Sequence, residues 1–403
     1  MKNFKIDWTG NSIKYNSKEK RIVLNAMEKA EPFTQGKYLL QFEKSFSKYI
    51  GGNGTAYAVA NCSNALDLSA ILIGTKKSDE IIVPSHTWCA TAISYARHGA
   101  KIKWVDIDPH TFVASLETIK KQISKKTKAI VIVHLYGMPV NIKEIVSFAK
   151  KRKIIVIEDC AQSLGSSINN KKIGSFGDIS CFSFHSNKII TTLGEGGMLL
   201  INNKKFDKKI KAIAHNGVEL YKRKNPKIYW KPSMLNIVDA KKNFWPSNFC
   251  IGEVQCALGI ELIKRIDKLN AIRINRANKF VNSLAMYKEL KFQKRIKGYK
   301  NVYHCLVAQF IGPKSTEKRD IFMKIISQRY GIKTIVQNCP LDRFKLFKKF
   351  NTKNNLDNTN IFFDNMISWP FYTYMEDKKF NYMIEKTKHT LDLIRKKYAN
   401  QKT

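Results

Sequence analysis

Residues 154–162 read Ile-Ile-Val-Ile-Glu-Asp-Cys-Ala-Gln and carry the pattern that decides the fold. Four consecutive β-branched apolar residues are typical of a strand that is buried on both faces. Glu158 and Asp159 follow at the point where this strand is expected to end. In open α/β sheets, ligands bind beyond the carboxyl ends of the strands, so an acid at this point is expected to face a ligand. The alternative is an aspartate that caps a following helix.

The same alternation of short apolar runs and amphipathic stretches extends on the amino-terminal side. The predicted strands are residues 56–60, 80–83, 101–106, 129–134 and 153–158. The predicted helices are residues 64–74, 90–99, 115–123 and 142–151. Strands that alternate with helices predict an α/β fold, with a mostly parallel central sheet covered by helices on both faces.

The pattern changes in the carboxyl-terminal part of the chain. A helix is expected from Asn203 to about residue 214, followed by a long irregular insertion at about 216–246 and a long helix over 252–286 that bends near Ile266. Beyond it, a strand over 303–310 mixes with helices over 314–329 and 377–397. We therefore expect a large α/β domain over residues 1–250 and a smaller α+β domain over 251–403.

Charge raises the question of a nucleic-acid partner. The 403 residues include 71 Lys and Arg against 32 Asp and Glu, which gives a formal net charge of +39. Lysine is spread through almost every segment, whereas a recognition surface concentrates arginine and aromatic residues on one element. The charge is better explained as a solvated lysine surface, and we expect no nucleic-acid partner.

Cysteine usage and hydropathy indicate the compartment. The eight cysteines form no C-x-x-C pair and no spacing typical of metal ligands, so we expect reduced thiols, a cytoplasmic location and no metal site. The first residues contain no apolar core of a secretory signal. No run of 18 apolar residues occurs, so we expect no membrane insertion.

A lysine in an unusual setting is the second chemical feature. Residues 180–188 read Ser-Cys-Phe-Ser-Phe-His-Ser-Asn-Lys, and a Gly-Glu-Gly-Gly turn follows at 194–197. A lysine that closes an aromatic strand before such a turn is expected to be partly desolvated. Desolvation lowers the pKa of an amine and allows it to add to a carbonyl group.

Taken together, these motifs resemble the DegT/DnrJ/EryC1/StrS family of pyridoxal-phosphate sugar aminotransferases, which have fold type I. The resemblance rests on Asp159, Lys188 and the glycine-rich turn. It also rests on collinear motifs at Gln35-Gly36, Phe42-Glu43, 84–91 (Pro-Ser-His-Thr-Trp-Cys-Ala-Thr) and 134–137 (His-Leu-Tyr-Gly). It extends from about Thr34 to the region of Pro370.

The resemblance implies the following catalytic roles. Lys188 matches the lysine that binds pyridoxal 5'-phosphate covalently and then moves a proton, and Asp159 matches the carboxylate that pairs with the pyridine nitrogen. Trp88 matches the aromatic residue that stacks on the cofactor ring, with a core tryptophan as the alternative. His185 matches a histidine near the substrate entrance, and a hydrogen-bonded structural histidine is an equal alternative.

The remaining cofactor contacts are also implied by the resemblance. Gln162 matches a position beside the phenolic oxygen of the ring, and Ser183 matches a phosphate-binding serine. Cys62 and Ser63 stand where the family has Gly-Thr in a phosphate-binding turn before a helix. Asn248 matches a residue that reaches the cofactor of a neighbouring subunit, which implies a homodimer with shared active sites. Cys250 replaces a family arginine and leaves the substrate contacts open.

The function that this resemblance implies is amino transfer from L-glutamate or L-glutamine to a keto sugar, expected to be nucleotide-activated, in amino-sugar or surface-polysaccharide biosynthesis. A keto-cyclitol acceptor of the scyllo-inosose type is the first alternative, because Cys250 and the insertion mark an unusual acceptor site. A sugar dehydratase is a weaker alternative, since such relatives carry histidine in place of the lysine. The presence of both Lys188 and Asp159 argues against a non-catalytic binding module, because such a protein would be expected to have lost one of them.

Overall fold

A computed structural model describes residues 4–207, 210–218, 237–238, 244–350 and 355–399 of the chain. Most of the predicted insertion at 216–246 therefore lies outside the described residues, including its basic run at 222–224. Among the helices that the structure describes, none combines the length and the apolar character needed to cross a membrane.

Between residues 55 and 159, strands and helices alternate along the chain. The helices are α1 (Ser17–Lys29), α2 (Lys37–Ile50), α3 (Cys62–Leu72), α4 (Ala90–Ala96), α5 (Leu116–Lys120), α6 (Ile142–Lys151), α7 (Ile210–Ile213), α8 (Glu253–Ile263), α9 (Ile266–Ser283), α10 (Ser315–Tyr330), α11 (Asp357–Asn365) and α12 (Asp377–Ala399). The strands are β1 (Thr55–Val59), β2 (Glu80–Pro84), β3 (Lys101–Val105), β4 (Thr127–Val133), β5 (Ile155–Asp159), β6 (Ser167–Ile168), β7 (Lys171–Lys172), β8 (Ile179–Ser183), β9 (Gly197–Ile201), β10 (Leu290–Phe292), β11 (Tyr299–Lys300), β12 (Leu306–Phe310) and β13 (Met366–Trp369).

The central sheet has the order β1-β9-β8-β5-β4-β2-β3 within the described part of the chain. The pairs from β8 to β3 are parallel, and β9 runs antiparallel to both of its neighbours. Because β5 lies in the middle of this sheet, the acids at its carboxyl end are flanked by strand ends on both sides. The predicted α/β fold with a mostly parallel sheet is confirmed.

The two faces of the sheet are both buried, as the continuous apolar runs predict. Ile130 and Ile132 of β4 belong to one apolar cluster, whereas Ala129 and Val131 belong to another on the opposite face. Successive residues of a strand point to opposite faces, so an uninterrupted run of Ile and Val supplies both clusters at once.

A second sheet is formed by β10, β12 and β13, which pair antiparallel in the order β10-β12-β13. Phe280, Phe322 and Trp369 pack together in its own apolar cluster, which also contains Ile6 from the amino-terminal segment. The predicted bend near Ile266 is confirmed, since α8 ends at Ile263 and α9 begins at Ile266. The division into two domains at residue 250 stays a prediction.

Helix α2 shows how a distant residue defines the start of a helix. Gly36 precedes α2, and the buried Glu253 accepts hydrogen bonds from the backbone amides of Gly36 (2.9 Å), Tyr38 (2.7 Å) and Leu39 (3.1 Å). A carboxylate in this position satisfies the free amides of the first turn and complements the helix dipole. A Cβ on Gly36 would lie 2.8 Å from a Glu253 carboxylate oxygen, which explains the glycine of the Gln35-Gly36 motif.

Candidate active site

Asp159 ends β5 and has both carboxylate oxygens hydrogen-bonded. The hydroxyl of Thr91 donates to Oδ2 at 2.8 Å, and the backbone amide of Ala161 donates to Oδ1 at 3.1 Å. Burial raises the pKa of Asp159, while these two hydrogen bonds and the charge of Lys188 act in the opposite direction. No helix begins in residues 160–166, so the helix-cap alternative for Asp159 is wrong. Asp159 is therefore a buried carboxylate whose orientation is fixed by two hydrogen bonds, and it suits a cationic partner.

Glu158, the neighbouring acid, has a structural role. Its side chain is fully buried and accepts hydrogen bonds from His134 Nε2 (3.2 Å) and from the amides of Gly174 (2.9 Å), Phe176 (2.9 Å) and Gly177 (2.6 Å). Burial alone would raise the pKa of Glu158, but the hydrogen bond and charge of His134 and the glycine amides lower it below the usual value. The carboxylate therefore fixes the turn before β8.

Lys188 lies in the irregular segment that follows β8. Its amine is surrounded by protein, although the residue as a whole keeps some contact with solvent. Burial lowers the pKa of Lys188 below the usual value of 10.5, and the nearby Cys305, Cys62 and Asp159 oppose this shift. The structure thus brings Lys188 and Asp159 within electrostatic range of each other. A lysine with a depressed pKa supplies a larger fraction of neutral, nucleophilic amine near neutral pH.

The amino-terminal end of α3 lies at the same edge of the sheet. Asn61 caps α3 by accepting a hydrogen bond from the Asn64 amide at 2.9 Å. Cys62 is buried beside Lys188 and Asp159, and Ser63 is exposed. The first turn of a helix presents free amides and the positive end of the dipole, which favour an anion.

Gly197, at the start of β9, allows this close arrangement. A Cβ at this position would lie 2.6 Å from the carbonyl oxygen of Asn61 and 2.7 Å from the backbone nitrogen of Cys62. Only a residue without a side chain permits β9 and the start of α3 to approach so closely. The last glycine of the Gly-Glu-Gly-Gly turn is therefore required by the packing of β9 against the start of α3.

Trp88 and Gln162 flank this edge in different ways. Trp88 is 65% exposed, so the alternative of a core tryptophan is wrong, and its ring is free to cover a ligand. The Trp88 carbonyl accepts a hydrogen bond from the amide of Thr91 at 3.1 Å, which ties Trp88 to the partner of Asp159. Gln162 is buried, and its Oε1 accepts from the Tyr136 amide at 2.8 Å. The 134–137 motif thereby orients Gln162.

Ser183 and His185 lie on either side of the end of β8. Ser183 is buried, and its hydroxyl accepts a hydrogen bond from the His185 amide at 3.3 Å. The ring of His185 is partly exposed, contacts Asn187 Oδ1 at 3.1 Å and lies 3.8 Å from a Glu195 carboxylate oxygen. His185 is therefore hydrogen-bonded and solvent-accessible, and both interpretations of it stay open.

Asn248 lies in the segment that precedes α8. Its side chain is exposed, and Oδ1 accepts a hydrogen bond from the Cys250 amide at 3.0 Å. The next carbonyl, that of Phe249, accepts from the Ala60 amide at 2.9 Å, so this segment runs beside the turn that precedes α3. The Cys250 thiol accepts a hydrogen bond from Gln35 Nε2 at 3.6 Å.

Sequence reasoning missed several groups around Lys188. Ser12, His304 and Cys305 all lie near this residue, and Thr91 holds Asp159. Thr91 belongs to the 84–91 motif, so the sequence could have indicated that Thr91 lies near the site. The other three carry no motif, and more than 100 residues separate each from Lys188.

Comparison with known proteins bears directly on this arrangement. The sequence model of the DegT/DnrJ/EryC1/StrS aminotransferase family matches residues 14–388. GDP-perosamine synthase of Escherichia coli O157:H7 is 33% identical over 309 residues, which cover 75% of this chain and 77% of that protein. UDP-4-amino-4,6-dideoxy-N-acetyl-beta-L-altrosamine transaminase of Campylobacter jejuni is 29% identical over 389 residues, covering 93% of this chain and 96% of that protein.

A solved structure shows the same fold. The X-ray structure of an aminotransferase from Psychrobacter cryohalolentis superposes with a TM-score of 0.87 at 23% sequence identity, covering 96% of this chain and 100% of that one. The family match, over residues 14–388, includes the whole region in which the motifs occur in order. The resemblance is confirmed, and this chain belongs to the DegT/DnrJ/EryC1/StrS aminotransferase family.

Proposed function

We propose that this protein transfers an amino group from L-glutamate or L-glutamine to the carbonyl group of a nucleotide-activated keto sugar, in the cytoplasm, for amino-sugar or surface-polysaccharide biosynthesis. The family makes the chain a transaminase, and two relatives are named for GDP- and UDP-linked amino sugars. The observation that carries the proposal is the buried pair of Lys188 and Asp159 beside the first turn of α3.

The family implies pyridoxal phosphate as the cofactor, and the residues at this edge of the sheet fit it. Its phosphate suits the free amides at Cys62 and Ser63, with Ser183 nearby at the end of β8. Its ring nitrogen suits the carboxylate of Asp159, whose own oxygens are already held by Thr91 and Ala161. The bound cofactor supplies an electron sink for the electrons left when a Cα proton is removed.

Further groups suit the ring itself. The exposed indole of Trp88 offers a flat apolar face for stacking. Gln162 offers its amide group beside the ring oxygen, while its Oε1 is kept in place by the Tyr136 amide. These assignments follow the resemblance and agree with the chemistry of each side chain.

Lys188 has two tasks in this proposal. Its neutral amine would hold the cofactor covalently through the aldehyde carbon, with loss of water, and, once the donor amine has taken its place, would accept and return the proton at the substrate carbon. Both tasks require a free electron pair, which the lowered pKa of Lys188 favours. Asp159 assists by stabilising a proton on the ring nitrogen. His185, with Glu195 at 3.8 Å, is proposed to contact the substrate at the entrance.

We further propose a homodimer with shared active sites, in which Asn248 reaches the cofactor of the partner subunit. Asn248 is exposed in the single chain, so its side chain is accessible to a second copy. Trp88 and Leu193, which are 65% and 46% exposed, provide apolar surface near the site for a second copy to cover.

A keto-cyclitol is the second candidate acceptor. Cys250 stands where the family has an arginine, and its thiol contacts Gln35 rather than an anionic group. A site without this guanidinium loses a partner for a substrate phosphate, and an uncharged cyclitol carries no phosphate.

The test is an absorbance spectrum of the purified protein with pyridoxal phosphate, recorded before and after L-glutamate or L-glutamine. We expect a visible band from cofactor bound to Lys188 and its bleaching by the donor. Lys188→Ala should stay folded and lose the band, whereas Lys143→Ala on the exposed face of α6 should keep it. GDP- and UDP-linked keto sugars and scyllo-inosose, supplied in turn, then identify the acceptor by return of the band. A Lys188→Ala protein that still transaminates would contradict the proposal.

A further inference from the structure

Three successive carbonyl groups around Lys188 are held by residues from distant parts of the chain. The amide of Ser12 donates to the Ser186 carbonyl at 3.0 Å, and the hydroxyl of Ser12 donates to the carbonyl of Lys188. Between them, the Asn187 carbonyl accepts from His304 Nε2 at 3.0 Å. Residues 186–190 form neither helix nor strand, so these contacts replace the hydrogen bonds that regular structure would supply.

Ser12 is itself fixed on its other side. It is 4% exposed, and its carbonyl accepts hydrogen bonds from the amide of Thr373 at 3.3 Å and from the hydroxyl of Thr373 at 3.0 Å. Three residues later, the Tyr15 hydroxyl donates to the Thr191 carbonyl at 3.0 Å and accepts from the Leu193 amide at 3.2 Å. Residues 12–15 therefore hold the lysine segment along its length.

His304 is suited to hold a backbone carbonyl and unsuited to proton transfer. A carbonyl oxygen can only accept, so Nε2 carries the proton, and Nδ1, which lies 3.1 Å from the Cys305 sulfur, is left unprotonated. Burial, together with the charges of Lys188 and Arg273, lowers the pKa of His304 well below 6.5. The imidazole therefore remains neutral and keeps one tautomer.

Arg273 stabilises the backbone that carries His304. Its guanidinium is 1% exposed and donates from Nη1 to the carbonyls of Tyr303 (3.4 Å) and His304 (3.3 Å). These bonds fix the backbone that carries His304. The support of Lys188 thus extends through His304 into α9.

We propose that Ser12 and His304 are positioning residues for transamination, which fix the backbone of Lys188 so that its amine returns to the same place beside Asp159 in each cycle. This inference rests on the proposed function, because only a lysine that leaves and re-forms a covalent bond needs such a fixed anchor. A reacting group displaced by about 1 Å can lose two orders of magnitude in rate, so backbone support far from the reacting atom affects turnover.

The test compares Ser12→Ala, His304→Leu and His304→Gln. The glutamine variant retains a donor that can reach the Asn187 carbonyl, so it should rescue what the leucine variant loses. Thr75→Ala is the matched control, because the Thr75 hydroxyl is also buried and donates to a carbonyl, that of Ala70 at 2.7 Å, at the far end of α3. Thermal unfolding of each variant reports whether it is folded.

The first readout needs no cofactor. Hydrogen exchange of a peptide that spans residues 184–192 should be about five- to tenfold faster in Ser12→Ala and His304→Leu, and unchanged in His304→Gln and Thr75→Ala, as the loss of one hydrogen bond predicts. The second readout uses the cofactor: the maximal rate at which L-glutamate or L-glutamine bleaches the visible band should fall by a similar factor, at unchanged donor affinity.

The two hypotheses fail in different ways. If exchange and bleaching in Ser12→Ala and His304→Leu equal those of Thr75→Ala, the positioning role is wrong while the transaminase assignment stands. If the wild-type protein forms no visible band, the proposed function is wrong, and the positioning role falls with it even where exchange is faster. If bleaching slows as much in His304→Gln as in His304→Leu, the role assigned to the hydrogen bond on the Asn187 carbonyl is also wrong.

Discussion

The hydroxyl of Thr91 donates a hydrogen bond of 2.8 Å to Oδ2 of Asp159, and both groups are buried. Thr91 lies on α4 and Asp159 at the end of β5, so this bond joins a helix to the centre of the sheet. The Thr87 hydroxyl lies 3.2 Å from that of Thr91 and extends the connection by one turn. The orientation of the carboxylate therefore depends on a neutral side chain that never touches the substrate in our proposal.

Replacing this threonine should weaken catalysis without unfolding the protein. Thr91→Val removes one of the two donors to Asp159, and a hydrogen bond to a charged group contributes about 1.5–3 kcal/mol, so kcat/KM should fall by about 10- to 100-fold. Thr91→Ser keeps the hydroxyl and should stay close to wild type. The measurement is steady-state transamination with both variants, and equal activity of the valine variant would show that Asp159 needs no support from Thr91.

Adding one methyl group at Gly197 should destabilise the protein. The new Cβ would meet the backbone carbonyl oxygen of Asn61 at 2.6 Å, which no side-chain rotation relieves, so Gly197→Ala should lower the free energy of unfolding by about 1–3 kcal/mol. Gly10→Ala is the control, because a Cβ there meets nothing within 4 Å. Urea unfolding compares the two. A Gly197→Ala midpoint equal to that of the control would mean that β9 and α3 separate without cost.

Glu43 should make stability depend on pH. Burial raises its pKa from 4.5 to about 7, while the hydrogen bond from the Ala58 amide and the charge of Lys211 oppose the shift. A carboxyl group whose pKa is raised on folding contributes its full stability below the unfolded value of 4.5, and that contribution is lost as the pH rises through about 7.

Glu43→Gln should remove this dependence while keeping the acceptor for Ala58. The free energy of unfolding of the variant relative to wild type should rise between pH 4.5 and about 7, by up to about 3 kcal/mol. Denaturant unfolding at pH 5, 6, 7 and 8 measures the difference. If the free energies of unfolding of the two proteins change in parallel between pH 5 and pH 8, the pKa of Glu43 is not raised into this range.

Mixed subunits should test whether the sites are shared. If Asn248 serves the partner subunit, Lys188→Ala and Asn248→Ala are each inactive alone, but an equal mixture that exchanges subunits should regain about a quarter of wild-type activity, because half of the dimers are mixed and each mixed dimer contains one intact site. Activity before and after subunit exchange gives the result, and sedimentation checks the dimer. If the subunits are shown to have exchanged and activity does not recover, the sites are not shared.

The sequence predicted those elements whose local residue pattern is sufficient to define them. The β-branched run that ends at Asp159 is a central strand, and its acid lies at the edge where the carboxyl ends of the parallel strands come together. The break near Ile266 was also predictable from local periodicity. Helix α5 ends at Lys120, three residues before the expected end, where a turn follows.

The groups that support the site could not be predicted in this way. Ser12 lies 176 residues from Lys188, and His304 lies 117 residues from the carbonyl it holds. Serine and histidine at such separations carry no periodicity and no spacing rule, and only the tertiary fold brings them to Lys188. The distinct roles of Glu158 and Asp159 were likewise hidden, because adjacent residues of a strand point to opposite faces and the sequence does not state which face holds the ligand.

The bond between Ser12 and Thr373 has a consequence for biosynthesis. A ribosome completes the central sheet long before it reaches residue 373, yet the segment that holds Lys188 is itself anchored only when Thr373 arrives. The nascent chain therefore contains every strand of its central sheet before Ser12 can gain this contact. We therefore expect the segment that holds Lys188 to become fully supported only near the end of synthesis, and a chain that stops before residue 373 to lack this support of Ser12.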